Sequence, residues 1–266
     1  MKEIKCKSII TKSNLPNVDY CCNLYIGCTH KCSYCYATFM RRFTNHSEEW
    51  GEFVDVKINA PQILEKELRL KKIDKWIILG SVTDSYQPIE KKYLLTRECL
   101  NIFLKYQSSI SILTKSKLIL RDIDILKKFN HCEVGLSVSV VDESIIKKIE
   151  PYSASFSERI NVLDILKKNK INTYAFIGPI IPNITNLREI FKKLNGKVDY
   201  VMGEFINLRC GSKENFVKSL LKIFTKEEVE EILSLIESDE YKNMIKREYN
   251  ELCEKYHIIN KGFFFH

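Results

Sequence analysis

Three cysteines lie close together near the start of the chain, with the spacing C-x3-C-x2-C. They are Cys28, Cys32 and Cys35, and the segment that carries them follows the apolar residues Tyr25 and Ile26. Cysteine thiolates are the usual protein ligands of a [4Fe–4S] cluster, and three of them leave one iron atom without a protein ligand. That open iron atom is a place where a small molecule can bind and react. The spacing therefore predicts a [4Fe–4S] cluster on these three cysteines.

A zinc site is the main alternative for the same cysteines. Structural zinc takes four ligands, so His30 would have to join the three thiolates. Zinc signatures normally pair two short ligand segments, and only one compact segment is present here. The spacing favours the cluster, while zinc and thiols without any metal stay open as alternatives.

The composition is that of a soluble globular protein of one large α/β domain, alone or with a small appendage. The 266 residues are 45% hydrophobic and 29% charged, which is enough apolar material for a substantial core. The net charge of +8, from 42 Lys and Arg against 34 Asp and Glu, favours anionic partners such as nucleic acid. The signal is weak because the lysines are spread over amphipathic segments such as 66–75, as on solvated helix faces.

The ten cysteines raise the question of disulfides and of the cellular compartment. The chain begins with Met1, Lys2 and Glu3, without the basic and apolar regions of a secretory signal. No apolar stretch approaches the roughly 20 residues that cross a bilayer. We therefore expect a cytoplasmic protein with reduced cysteines and no membrane partner.

The elements that must position the cysteines are predicted by short apolar runs that alternate with helical patterns. Residues 212–256 have a helical pattern, so we divide the chain into a catalytic domain, 1–210, and a helical extension packed on it, 211–266. Six parallel strands with right-handed crossovers form either part of a barrel or an open doubly wound sheet. The predicted strands span 20–26, 76–79, 109–113, 133–140, 172–177 and 198–205, and the predicted helices include 95–106, 118–129, 157–168 and 187–194.

The cysteine motif, with Tyr34 directly before its last cysteine, resembles that of the radical S-adenosylmethionine (SAM) superfamily. The resemblance implies that the open iron binds SAM, and that an external one-electron reductant of the flavodoxin or ferredoxin type drives its cleavage. The product is a 5′-deoxyadenosyl radical that takes a hydrogen atom from the substrate. It also implies an α/β fold, a six-stranded partial (β/α)6 barrel of TIM type with an open lateral mouth.

Small polar and cationic residues follow the predicted strands, where SAM needs partners for its carboxylate, ammonium and ribose groups. Helix N-capping is the alternative role for the hydroxyl and carboxylate side chains. Because the carboxyl ends of parallel strands meet at one edge, we expect these residues to lie together beside the cysteines. They are Ser81, Thr83, Asp84, Lys115, Ser137 and Ser139.

Five segments narrow the resemblance to the branch that is similar to spore photoproduct lyase. By that resemblance Lys115 meets the SAM carboxylate, and Thr83 and Ser137 hold its other polar groups. Tyr34 and Tyr36 would lie beside the cluster and SAM. Apart from the resemblance, Tyr36 and Tyr86 are candidates to relay an electron or hydrogen atom, with packing or hydrogen bonding as the alternative role. Ser139 and the turn at Gly178 would line the nucleoside side. The segments are 83–90, 113–116, 136–139, 149–151 with Arg159 downstream, and 178–182.

One position departs from that branch. Spore photoproduct lyases carry a hydrogen-donating cysteine where this chain has Ser81, whose O–H bond is too strong for easy donation. Cys99, Cys132 and Cys210 are candidate substitutes, although each is also expected as a small buried residue. We predict a radical SAM enzyme, lyase-like or repair-like, acting on nucleic acid. A peptide or metabolite substrate is the first alternative, and a non-catalytic metal-binding protein associated with nucleic acid is the second.

Overall fold

The computed structural model describes residues 1–15, 18–209 and 211–265. Its strands are β1 (Lys2–Ile4), β2 (Ile10–Lys12), β3 (Tyr20–Cys22), β4 (Tyr25–Ile26), β5 (Asp55–Lys57), β6 (Ile77–Leu79), β7 (Ile110–Thr114), β8 (Cys132–Ser137), β9 (Asn172–Ile180), β10 (Tyr200–Phe205) and β11 (Ile259–Phe264). Its α-helices are α1 (Ala60–Leu70), α2 (Glu90–Tyr93), α3 (Leu95–Lys105), α4 (Ile123–Leu126), α5 (Glu143–Ile149), α6 (Phe156–Lys168), α7 (Leu187–Leu194), α8 (Lys213–Leu220), α9 (Lys226–Glu237) and α10 (Asp239–Lys255), and 3-10 helices span Tyr36–Phe43 and Lys117–Asp122.

The larger sheet has eight strands in the order β11-β10-β9-β8-β7-β6-β3-β2, so the prediction of six strands is wrong in number. The six predicted strands are present as β3 and β6 to β10, all parallel. The two edge strands were missed: β2 is antiparallel to β3, and β11 is parallel to β10. Neither has a buried residue, so neither shows the apolar run that marks an internal strand. Among the described residues β2 and β11 do not pair, and the sheet stays open.

The first predicted strand, 20–26, is divided between two sheets. Residues of β3 pair with β6 in the larger sheet, whereas β4 pairs with β5 in a small sheet of order β1-β5-β4. Between them the carbonyl of Asn23 accepts a hydrogen bond from Lys57 Nζ at 2.7 Å. The cysteine motif therefore follows a strand of the small sheet rather than of the larger one. The continuous apolar pattern of residues 20–26 did not reveal that the strand is interrupted between the two sheets.

The two faces of the larger sheet differ in composition. On one face, cross-strand neighbours such as Leu79 and Ile112 are fully buried and apolar. The other face carries Tyr174 and Tyr200, whose rings stack with centroids 4.9 Å apart. Gly135 lies directly beside Tyr174, and a Cβ atom there would come within 2.2 Å of the ring. The absence of a side chain at Gly135 thus lets the two tyrosines fill this part of the sheet face.

Two predicted helices differ in detail from the structure. The helix predicted at 157–168 begins at Phe156, because Ser155 caps it and forms a capping box with Glu158. The helix predicted at 118–129 is a 3-10 helix followed by the short α4, and the fully buried Asp122 between them bonds Tyr86 and Arg121. In the part of the chain that the structure describes, no helix has the length and apolar character needed to span a membrane.

Candidate active site

Loops at one edge of the larger sheet bring the predicted site residues together. Ser81 follows β6, Lys115 follows β7 and Ser139 follows β8, while Gly178 lies near the end of β9. These strands are parallel, so their carboxyl ends lie along the same side of the sheet, which we call the carboxyl edge. The cysteine loop, residues 27–35, reaches this edge from the small sheet, because Thr83 Oγ1 after β6 donates to the carbonyl of Gly27 at 2.6 Å.

The three cysteines of the loop are half-buried. Burial raises the pKa of Cys28 to about 12, with a further contribution from the charge of Asp84, while backbone N–H groups of His30 and Asp84 donate to its sulfur. Electrostatic interactions link Cys32 to both Cys28 and Cys35. Hydrogen bonds to sulfur are one of the ways in which a protein tunes a cluster. The donor set and its surroundings fit a [4Fe–4S] cluster.

A single metal ion would need a tighter arrangement of ligands. Among the described residues no three His, Cys, Asp or Glu side chains converge closely enough to hold one ion. A cubane cluster binds its thiolates through different iron atoms and does not require that convergence. The fourth zinc ligand considered above is engaged elsewhere: His30 Nδ1 lies 2.9 Å from the carbonyl of Tyr152, and its Nε2 lies 3.0 Å from Asp84 Oδ2.

Gln87 clamps the beginning of the cysteine loop. Its Nε2 donates to the carbonyl of Gly27 at 3.2 Å and to Thr83 Oγ1 at 3.0 Å. Its Oε1 accepts hydrogen bonds from the backbone N–H of Thr29 at 2.9 Å and from the Thr29 hydroxyl at 3.2 Å. Gln87 is fully buried, so these bonds are shielded from water. Sequence reasoning quoted the segment 83–90 but gave Gln87 no role, and its position four residues after Thr83 was the available signal.

Asp84 connects the cysteine loop with the end of β7. It accepts hydrogen bonds from Thr114 Oγ1 at 2.8 Å and from the backbone N–H of Lys115 at 2.9 Å, and it faces the buried His30. Burial acts to raise the pKa of Asp84, but His30 and the N–H groups of Lys115 and Tyr86 outweigh it and bring that pKa to about 2. Its carboxylate oxygens are thus occupied by protein donors that position the loop.

A buried ion pair holds the second half of the loop. Tyr34 donates its hydroxyl proton to Glu150, and Glu150 pairs with Arg159, whose side chain is only 2% exposed. Arg159 also donates to the carbonyl of Ser137 at 2.9 Å, at the end of β8. The backbone N–H of Ser33 donates to the carbonyl of Ile149 at 2.8 Å. The loop is therefore bonded to the end of α5, and through Arg159 to the end of β8.

Lys115 lies beside the middle of the cysteine loop. Its Nζ is 5.8 Å from the centroid of the Tyr34 ring, within cation–π range. Its charge acts on the pKa of Cys32 in the lowering direction, although burial raises that pKa well above its ordinary value. A carboxylate placed at the open iron of a cluster on this loop would have this ammonium group at hand.

Two further predicted residues meet at the rim of the site. Tyr36, which is 39% exposed, donates its hydroxyl proton to the backbone carbonyl of Ser81. The Ser81 hydroxyl accepts a hydrogen bond from Asn23 Nδ2 at 3.0 Å, and the Ser81 N–H donates to Asn23 Oδ1 at 2.9 Å. Tyr36 is therefore adjacent to Ser81. Asn23 holds Ser81 in position through hydrogen bonds to its hydroxyl and its backbone N–H, and Ser81 is the residue that replaces the cysteine of spore photoproduct lyases.

The remaining predicted contacts lie toward β8 and β9. Ser137 and Ser139 are buried at the end of β8. Gly178 belongs to β9, and a Cβ atom there would come within 2.5 Å of the Phe176 ring and 3.2 Å of Glu204 Cβ. One face of the sheet thus carries Phe176, Gly178 and Glu204. Because Gly178 has no side chain, space remains between the other two at the carboxyl edge.

The candidate substitutes for the missing cysteine lie away from this edge or outside the described residues. Cys99 is fully buried within α3, in the hydrophobic core. Cys132 begins β8, so it lies at the opposite edge of the sheet from Ser137. Cys210 lies outside the described residues. Neither Cys99 nor Cys132 is placed to exchange a hydrogen atom with a substrate beside the cysteine loop.

Comparisons with known proteins agree with this geometry. A sequence model of the radical SAM superfamily matches residues 22–194. Uncharacterized protein MJ0683 of Methanocaldococcus jannaschii is 41% identical over 208 residues, 78% of each chain. The radical SAM Nalpha-GlyT isomerase of Pseudomonas phage M6 is 22% identical over 170 residues, 63% of this chain and 35% of that protein.

The fold is shared with a solved enzyme structure. Spore photoproduct lyase complexed with dinucleoside spore photoproduct superposes with a TM-score of 0.73 over 98% of this chain and 82% of that one, at 14% identity. The family match extends over most of the chain and includes the whole cysteine loop. A [4Fe–4S] cluster and SAM are the cofactors that this family implies. Membership of the family supports an enzyme over the non-catalytic metal-binding protein considered in the sequence analysis. The chain therefore belongs to the radical SAM superfamily, as an enzyme whose fold is similar to that of spore photoproduct lyase.

Proposed function

We propose that this enzyme uses a [4Fe–4S] cluster on Cys28, Cys32 and Cys35, together with SAM, to remove a hydrogen atom from a nucleic-acid substrate. When bound and reduced, the cluster supplies the electron that splits SAM into methionine and a 5′-deoxyadenosyl radical. The observation that carries the proposal is the arrangement of the cysteine loop, which buried hydrogen bonds hold at the carboxyl ends of the strands, beside Lys115.

The chain's own residues divide into those that bind SAM and those that position the loop. We assign the SAM carboxylate to Lys115 and the nucleoside side to Ser137, Ser139 and Gly178. Tyr34 and Tyr36 would lie beside the cluster, and Tyr36 contacts Ser81 at the rim. Thr83 and Asp84 act chiefly through the loop, because their side chains already bond Gly27, His30 and the end of β7.

In this proposal the open eight-stranded sheet carries the reaction at the carboxyl ends of its parallel strands. We keep residues 1–210 as the proposed catalytic unit. The proposed extension, residues 211–266, is helical up to Lys255 and then contributes β11 to the larger sheet. The substrate enters at the carboxyl edge, beside the cysteine loop. An external one-electron donor of the flavodoxin or ferredoxin type would reduce the cluster.

Two observations support nucleic acid as the substrate class. The chain has a net charge of +8, which favours polyanions, and the fold is similar to that of a lyase solved with a dinucleoside photoproduct. Ser81 stands where that lyase has the cysteine that returns a hydrogen atom to the product. A lyase or repair reaction in this enzyme therefore needs another hydrogen-atom donor. A radical SAM isomerase among the relatives makes isomerisation the second reaction class, and a peptide or metabolite remains the alternative substrate.

The test is anaerobic reconstitution with iron and sulfide, followed by reduction in the presence of SAM. We expect 5′-deoxyadenosine as a product, and an increase in its rate when the correct substrate is added. Deuterated DNA, RNA and peptide candidates would be compared, since transfer of deuterium into 5′-deoxyadenosine identifies the substrate directly. A fully loaded cluster that yields no 5′-deoxyadenosine would refute the proposal.

A further inference from the structure

A cavity lies at the same edge of the sheet, on the side away from the cysteine loop. Its volume is about 570 Å3, within the usual range for small-molecule sites. It is enclosed by the end of β10, the start of α8, the junction of α9 and α10, and Phe265 after β11. Because β10 and β11 are parallel to the strands of the candidate site, the cavity opens toward the same edge.

Position along the sheet decides what this cavity can hold. Four strand spacings separate β10 from β6, whose following segment bonds the cysteine loop. At ~4.8 Å per spacing the separation is about 19 Å along the sheet. A ligand of the cavity therefore lies away from the cysteine loop and next to the part of the candidate site on β9, where Gly178 lies. A longer substrate whose reacting unit lies beside Lys115 could place a neighbouring unit there.

The charges of the cavity favour an anionic group. Arg209 and Lys213 line it and are exposed, and among the residues that the structure describes neither has an acidic partner within ion-pair distance. Lys242 Nζ lies 3.2 Å from Asp239 Oδ1, so the charge of Lys242 neutralises that of Asp239, one of the two acidic residues that line the cavity. Glu237 is the other acidic residue. Two unpaired cations against one carboxylate leave the cavity with an excess of positive charge.

A flat apolar surface stands beside these charges. Phe265 is 38% exposed, and its ring centroid lies 6.0 Å from that of the buried Phe205. Lys246 Nζ lies 5.7 Å from the centroid of the Phe265 ring. An aromatic ring with cations beside it is the arrangement by which proteins hold single-stranded nucleic acid, the base on the ring and the phosphate on the cations.

We propose that this cavity is a subsite for a nucleotide flanking the reacting unit of a single-stranded nucleic acid. Arg209 and Lys213 bind its phosphate, and Phe265 stacks with its base. The inference rests on the proposed function for its substrate class, and it adds residues that lie beyond the part of the chain matched by the superfamily model. An acidic peptide would meet the same cations but would gain nothing from the ring.

The experiment measures binding of a fluorescent single-stranded oligothymidylate to the reconstituted holoenzyme with SAM, over a series of salt concentrations. For R209A/K213A we expect at least about a tenfold loss of affinity and a log–log salt slope smaller by about 1, as for lost phosphate contacts. The matched control is K66A/R69A on α1, which removes the same charge from exposed residues distant in the chain. We expect that control to bind within about twofold of the native protein.

The ring is tested separately with F265A. We expect about a fivefold loss of affinity at every salt concentration, with an unchanged salt slope, because base stacking does not release counterions. An abasic oligomer should bind the native protein and F265A equally. Equal loss in R209A/K213A and K66A/R69A would overturn the subsite, as would binding of polyglutamate as tightly as the oligothymidylate.

Formation of 5′-deoxyadenosine from SAM is measured in the same samples, so that the two proposals fail separately. Product formation without oligonucleotide binding through Arg209 and Lys213 overturns the subsite alone. Binding that depends on these residues in a loaded protein that forms no product overturns the proposed function and leaves the binding site in place.

Discussion

The two regions at the carboxyl edge of the sheet are built in different ways. The cysteine loop is held by buried polar side chains, including Gln87, Asp84 and the pair of Glu150 with Arg159. The cavity at the end of β10 is lined largely by exposed charges and by the half-exposed Phe265. Buried hydrogen bonds are costly to break, whereas exposed charges exchange partners with water at little cost.

This difference coincides with the extent of the family match. The superfamily model covers residues 22–194, which include the loop and its supports but none of the residues that line the cavity. The same cofactor chemistry needs the same rigid loop, while different substrates need different surfaces. The comparison therefore distinguishes the loop and its supports, which lie within the family match, from the cavity, which lies outside it. The following variants test this difference.

Replacement of a loop cysteine should have the largest effect. For each of C28A, C32A and C35A we expect loss of iron and sulfide, with 5′-deoxyadenosine formation at least about a thousandfold lower, because the proposed cluster is held by these three thiolates. The measurement is cluster content by absorption and product by chromatography. Cys6, which lies outside the loop, supplies the control C6S, and a cluster that survives in C32A would contradict the ligand assignment.

Breaking the buried ion pair should cost the most stability. R159M leaves Glu150 buried and unpaired, and we expect the free energy of unfolding to fall by about 3–5 kcal/mol. In the double variant E150Q/R159M the loss should be smaller, since no uncompensated charge remains. Urea unfolding of the purified protein measures both. Equal losses in the single and double variants would show that the charge of Glu150 is not the cause.

Loss of the Gln87 clamp should have an intermediate effect. Q87L leaves the carbonyl of Gly27 and the N–H of Thr29 without their buried partner, at an expected cost of about 1–3 kcal/mol in the free energy of unfolding. Cluster loading should fall as well, because the loop loses its anchor. Q62L, at an exposed position of α1, is the matched control and should change stability by less than ~0.5 kcal/mol.

The cavity variants should have the smallest effect on the fold. R209A and K213A remove exposed side chains, and we expect changes in the free energy of unfolding within about 0.5 kcal/mol and unchanged cluster content. The same urea and iron measurements check this. If either variant destabilises the protein as much as Q87L does, the two regions do not differ in the way described here.

Much of the fold was predictable because the internal strands are short apolar runs between helical patterns. β6 to β10 follow that pattern, and the strand ends that carry Ser81, Lys115 and Ser137 could be located from it. The edge strands β2 and β11 were not predictable in this way, since they contain no buried residue. The division of 20–26 between two sheets was also hidden, because its residues are nearly all apolar.

The sequence by itself determined the chemistry of this protein, because the spacing of Cys28, Cys32 and Cys35 and the position of Tyr34 are local properties of one short loop. Only the tertiary structure decided how that loop is held. Gln87, Asp84 and Glu150 lie 49 to 122 residues from the cysteines they support, counted from Cys35 to Asp84 and from Cys28 to Glu150. No periodicity in the chain records such distant hydrogen bonds, since they form only when parallel strands end at a common edge.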